Sequence, residues 1–69
     1  MNYGILIAVN EEGAFQVVGV VDSREEASEL ADEYLAFGPE NNLLCPWEFQ
    51  IHSRGNNGFY TKIDRWKVA

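Results

Sequence analysis

Apolar residues recur at two different spacings along this 69-residue chain, and the switches between them lay out a fold. Tyr3 to Val9 is a continuous β-leaning run. Tyr3, Ile5, Ile7 and Val9 fall on one side of its pleat and Gly4, Leu6 and Ala8 on the other, so both faces are apolar. Asn10-Glu11-Glu12-Gly13 supplies turn chemistry, and Phe15 to Val21 returns as a second strand. That strand puts Phe15, Val17 and Val21 on one side and Gln16, Val18 and Val20 on the other. The spacing then becomes helical. Ser23 followed three residues later by Glu26 predicts a capping box, with Asp22 as the competing cap. Ala27, Leu30, Ala31, Tyr34 and Phe37 recur at three- and four-residue steps, while Glu25, Glu29, Asp32 and Glu33 fall on the opposite side. Gly38 and Pro39 mark the helix end.

Gly38 to Pro46 reads as a loop whose Leu43 and Leu44 plug the open end of the core. Trp47 to Arg54 alternates again, with Trp47, Phe49 and Ile51 inward and Glu48, Gln50, His52 and Arg54 outward. Gly55-Asn56-Asn57-Gly58 predicts a turn, because Gly and Asn tolerate positive φ. Phe59 to Ile63 follows as the fourth strand, with Tyr60, Lys62 and Asp64 outward. Trp66 and Val68 are out of phase with it, and a bulge or frayed tail near Arg65 accounts for that. The pattern predicts one α+β domain over residues 1–69, β-β-α-β-β, with a four-stranded antiparallel sheet and one helix on one face. A first strand apolar on both sides belongs in the sheet interior, which favours the order 2-1-3-4 and leaves 1-2-3-4 open. No internal repeat is visible.

Composition narrows this picture. At 46% hydrophobic and 23% charged residues the chain is globular in type, and a domain of this size buries only about 60% of its unfolded surface. A lone Cys45 cannot close an internal disulfide. The apolar start is short, lacks a basic flank and runs straight into Asn10-Glu11-Glu12, so a secretory signal is not expected and a cytoplasmic setting is. No stretch approaches the length of a membrane span. The net charge of −6 disfavours a protein that coats nucleic acid. That charge is unevenly spread. Residues 1–50 carry ten acids against Arg24 alone, a balance of −9, and residues 51–69 carry Arg54, Lys62, Arg65 and Lys67 against Asp64, a balance of +3.

Candidate chemistry is sparse. Cys45 and His52 are the only residues of their kinds, and a nucleophile needs a base, an orienting group and an oxyanion pocket around it. One His and one Cys match no usual zinc spacing. Gly55-Asn56-Asn57-Gly58 joins two strands and lacks the helix that a phosphate loop needs. The chain reads as having no catalytic residue, no metal site and no cofactor. Three surfaces remain. The acids Glu25, Glu29, Asp32 and Glu33 suit a basic partner or imitate a phosphate row, against the plainer reading of a solvated helix face. In these bulk features the chain resembles the small acidic inhibitors carried by phages and plasmids, nucleic-acid mimics and anti-CRISPR proteins among them, and that likeness implies action by occupying a macromolecular partner. Leu6, Val18 and Val20, with Ala8 beside them, form an exposed patch for a homodimer or a partner if one helix covers only the other face. His52, Arg54, Tyr60 and Lys62 combine cations with an aromatic, as platforms for single-stranded nucleic acid do. The favoured reading is a non-catalytic protein-binding module that pairs through its first hairpin, and the alternative is a single-stranded nucleic-acid binder.

Overall fold

The computed structural model describes residues 3–37 and 46–68, so the expectations for Gly38, Pro39, Leu43, Leu44 and Cys45 lie outside the described residues. The elements are β1 (Gly4–Val9), β2 (Phe15–Val21), α1 (Arg24–Phe37), β3 (Glu48–Arg54) and β4 (Tyr60–Lys67). They form one sheet of order β2-β1-β3-β4, antiparallel throughout, with α1 packed on one side. This is the expected α+β arrangement. The doubly apolar β1 sits inside the sheet between β2 and β3.

Both hairpins close in the same way. Asn10 N–H donates to the Ala14 carbonyl at 2.9 Å and Gly13 N–H to that of Asn10 at 3.1 Å. Gly55 N–H donates to the Phe59 carbonyl at 2.8 Å and Gly58 N–H to that of Gly55 at 3.0 Å. The fourth residue of each turn has positive φ, 90° at Gly13 and 85° at Gly58, which only glycine adopts without strain. The asparagines contribute side chains instead. Asn10 Oδ1 accepts from the N–H groups of Glu12 and Ala14, both at 2.9 Å, and Asn57 Oδ1 accepts from Phe59 N–H at 3.0 Å.

Ser23 caps α1. Its Oγ accepts from Glu26 N–H at 3.1 Å, and its carbonyl accepts the first helical bond from Ala27. The Glu26 carboxylate reaches back to Asp22 N–H at 3.1 Å, one residue earlier than in a standard capping box. Ser23→Ala is therefore expected to lower unfolding free energy by about 1 kcal/mol. A urea titration checks this, with Asp22→Ala as the variant that keeps the cap.

The helix covers β1 on the side of Leu6 and Ala8. These two residues, Val21, Ala27, Ala31, Tyr34, Phe49 and Ile51 form the buried core. Antiparallel pairing explains the grouping, because Leu6 lies opposite Ile51 and Ala8 opposite Phe49. Tyr34 meets Phe49 edge-on at 6.2 Å, and Trp66 stacks on Phe49 at 5.6 Å. The Arg24 guanidinium lies 3.7 Å from the Trp66 ring centroid and pairs with Asp64 at 2.7 Å, tying the start of α1 to β4. Asp64 thus faces the helix, not water as expected. Trp47, expected inward, is 42% exposed and lies under the Lys67 ammonium, 3.3 Å from its ring centroid.

Two irregularities reset the alternation. In β2 the register slips between the Leu6↔Gly19 and Ile7↔Val17 pairs, leaving Val18 as the extra residue. Val18 packs against the core, and Val20 joins Phe15 and Val17 on the far side. In β4 the register slips between the Ile51↔Asp64 and His52↔Lys62 pairs, leaving Ile63 as the extra residue. The bulge expected near Arg65 is therefore two residues earlier, and it turns Asp64 and Trp66 toward the helix.

Candidate functional site

The sheet face away from α1 has no cover among the described residues. The register assembles it row by row. Val20, Ile5, His52 and Lys62 lie side by side across the four strands, followed by Val17, Ile7, Gln50 and Arg65, then by Phe15, Val9, Glu48 and Lys67. Every row runs from apolar on β2 and β1, through polar on β3, to cationic on β4. Arg54 and Tyr60 pair beyond the first row. Phe15, Val17, Val20 and Tyr60 are 66, 56, 55 and 54% exposed, whereas Ile5, Ile7 and Val9 are half-buried between them.

These side chains shape a groove along β1. Its larger depression, about 510 Å3, has Ile5, Ile7 and Val9 as floor, Phe15 and Val17 on one wall, and Gln50, His52 and Tyr60 on the other. A second depression of about 320 Å3 shares Ile5, His52 and Tyr60 and continues to Arg54. Among the described residues no carboxylate lines either one.

The expected Leu6, Val18 and Val20 patch does not exist as one surface. Leu6 is fully buried beneath α1, Val18 is half-buried against the same core, and only Val20 is on the open face. Trp66 and Val68 pack on the helix side with them. The helix rests on the side of β1 with the smaller residues, and the larger set is left outside. By contrast, His52, Arg54, Tyr60 and Lys62 do share one face, as cross-strand pairs His52↔Lys62 and Arg54↔Tyr60. Glu25, Glu29, Asp32 and Glu33 are all exposed on α1, on the opposite side of the sheet. The two-ended charge of the sequence becomes a two-faced molecule.

Missed in the sequence were Ile5, Ile7, Val9, Phe15 and Val17. The available signal was β3, whose outward Gln50 and His52 had to share a face with one set of β1 residues, but the register choosing that set is not written in either strand alone.

Polar groups at the groove margin are held in place. Gln50 joins His52 to Glu48: its Oε1 lies 2.9 Å from His52 Nε2, and its Nε2 donates to Glu48 Oε2 at 2.6 Å. Lys67 pairs with Glu48 Oε1 at 3.1 Å. The hydrogen bonds from Gln50 and then Lys67 hold the Glu48 carboxyl below its ordinary value of 4.5, against the opposing effect of desolvation. Desolvation, then the Lys62 charge, holds His52 below its ordinary 6.5. Both shifts make acid destabilising. As pH falls through 6.5 the unfolded His52 takes up a proton that the folded one refuses, and stability declines until the folded pKa is passed. Glu48 adds stability that is full above 4.5 and lost as pH falls through its lowered pKa. The urea midpoint is therefore expected to drop already between roughly pH 7 and 5.5, and His52→Gln to flatten that limb. A parent midpoint constant over this interval contradicts the assignment.

Among the described residues no group of three His, Cys, Asp or Glu comes together to hold a metal, and no helix is long and apolar enough to cross a membrane. Compared with known proteins, the chain matches no family model, no curated protein and no solved structure.

Proposed function

We propose that this chain is a non-catalytic, cytoplasmic protein-binding module whose contact surface is the open face of its sheet. The observation that carries the reading is the uncovered row of Phe15, Val17 and Val20 over Ile5, Ile7 and Val9. A sheet face with this much apolar side chain is normally packed against another layer, and uncovered patches of this kind mark contact sites. The acid row on α1 is a solvated face that sets the solubility of the module and repels acidic partners approaching from that side. Inhibition by occupying a macromolecular target is one use of such a module.

Photo-crosslinking separates the two faces. A benzoyl-phenylalanine at Val17 is expected to give discrete protein adducts in the cells that make the chain, and one at Glu29 to give none. Adducts from Glu29 alone would move the contact surface to the helix. The second reading, single-stranded nucleic acid, is favoured by the convergence of His52, Arg54, Tyr60 and Lys62 beside the groove, with Phe15 as a second exposed aromatic on that face. Nucleic-acid adducts from Val17 that disappear in Tyr60→Ala would replace the protein reading with this one.

A further inference from the structure

The cross-strand gradient specifies what the open face accepts. We infer that the groove along β1 takes an amphipathic helix of a partner protein, apolar toward β1 and β2 and acidic on the flank that passes over β3 and β4. The inference rests on the reading of this face as the contact surface, and it names the partner's chemistry.

Length, shape and charge each support it. Six residues of β1 at roughly 3.3 Å span roughly 20 Å, which a helix rising 1.5 Å per residue covers in about 13 residues. The 14-residue α1 already covers the opposite side of the same sheet, so a partner helix would complete a second layer of matching length. The floor of Ile5, Ile7 and Val9 between two raised walls admits side chains spaced i, i+3, i+4 and i+7. Phe15 and Tyr60 stand toward its two ends.

Charge then fixes the flank. Arg54, Lys62 and Arg65 are exposed on one side of the groove and make no ion pair among the described residues. Lys67, the fourth cation of that side, is taken by Glu48. A helix seated over β1 and β2 therefore passes its flank alongside three available cations, where Asp and Glu are attracted and Lys and Arg repelled. A second copy of this chain does not satisfy the demand. The outer side of its α1 supplies the acids but only Leu35 as a large exposed apolar residue among the described ones, too little to fill the floor. Face-to-face pairing of two open sheets buries apolar surface but brings two cationic margins into one interface.

A displayed library of 14-residue peptides, with Leu at helical a/d spacing and all other positions randomised, tests this when selected on the intact chain. Selection is expected to enrich Asp and Glu on one flank. The selected peptides, synthesised with a fluorophore, should become helical on binding by circular dichroism and weaken at least about fivefold from roughly 0.05 to 0.5 M salt. Val17→Asp, exposed and so tolerated by the fold, should abolish binding. The double variant Arg54→Glu, Lys62→Glu should weaken the acidic peptides and admit their Lys-flanked counterparts. Selected peptides without acidic bias, with salt-independent binding, or with proline tolerated throughout would overturn the inference while leaving the open face as contact surface. No selected peptide at all, or binding indifferent to Val17→Asp, would overturn both. Tight binding of a labelled deoxythymidine 12-mer, lost in Tyr60→Ala, would assign the groove to single-stranded nucleic acid instead.

Discussion

Phe49→Ala is expected to lower the free energy of unfolding by about 3–5 kcal/mol, whereas Phe15→Ala is expected to change it by less than about 0.5 kcal/mol. The two residues are the same type, both lie on strands, and hydropathy does not distinguish them. The structure does. Phe49 is 1% exposed and held between the edge of Tyr34 and the face of Trp66, so truncation leaves a cavity that those rings cannot close. Phe15 projects from the open face. Because a domain this small sits near the lower end of the usual 5–15 kcal/mol range, Phe49→Ala should be largely unfolded at 37 °C while Phe15→Ala melts like the parent. Thermal denaturation followed by far-UV circular dichroism gives both numbers. A larger loss for Phe15→Ala than for Phe49→Ala would mean that the helix covers the other side of the sheet.

The second large effect is at Gly4, where alanine is expected to cost about 2–3 kcal/mol. A Cβ at this position would stand 2.7 Å from Ile51 Cγ2 and 2.8 Å from the carbonyl oxygen of His52. The methyl belongs to a fully buried side chain, and the carbonyl belongs to the neighbouring strand. Neither retreats without disturbing the contact between β1 and β3. Gly19 is the natural control, because a Cβ there meets only Leu30 Cδ2, at 3.0 Å, the far end of a half-buried side chain. Gly19→Ala should alter stability by less than about 1 kcal/mol, the neighbour's shift being offset in part by the lower entropy of the unfolded chain. Urea titrations at 25 °C separate the pair, and a Gly4→Ala variant as stable as the parent would contradict the close approach of the two strands.

Element type and order were legible because each rests on a local signal: the two glycine turns, the Ser23 cap, and the helical spacing from Ala27 to Tyr34. The interior place of β1 followed from its apolar faces. What was not legible was the side of β1 that meets the helix. Its larger residues, Ile5, Ile7 and Val9, invite assignment to the core, yet Ala27 and Ala31 of α1 share the buried core with Leu6 and Ala8. The choice is made by pairing with β3, where Phe49 and Ile51 are apolar and Gln50 and His52 are not, and pairing is a relation between segments some forty residues apart. The extra residues at Val18 and Ile63 then invert the alternation midway along β2 and β4. For that reason Val20 was grouped with Leu6 and Asp64 with Tyr60. That His52, Arg54, Tyr60 and Lys62 share one face was legible because they lie on the two arms of one hairpin, where a recognisable turn fixes which residues face each other.

The pairing of β1 with β3 also has a kinetic consequence. Each hairpin closes over a short turn, and such units form in about 1–10 μs. The β1–β3 seam joins residues far apart in sequence, so the entropy of closing that long loop is spent before its hydrogen bonds form. Docking of the two hairpins along this seam is therefore expected to limit the folding rate. Substitutions at Leu6 and Ile51, which face each other across the seam, are expected to slow the forward rate, read from the folding arm of a denaturant chevron.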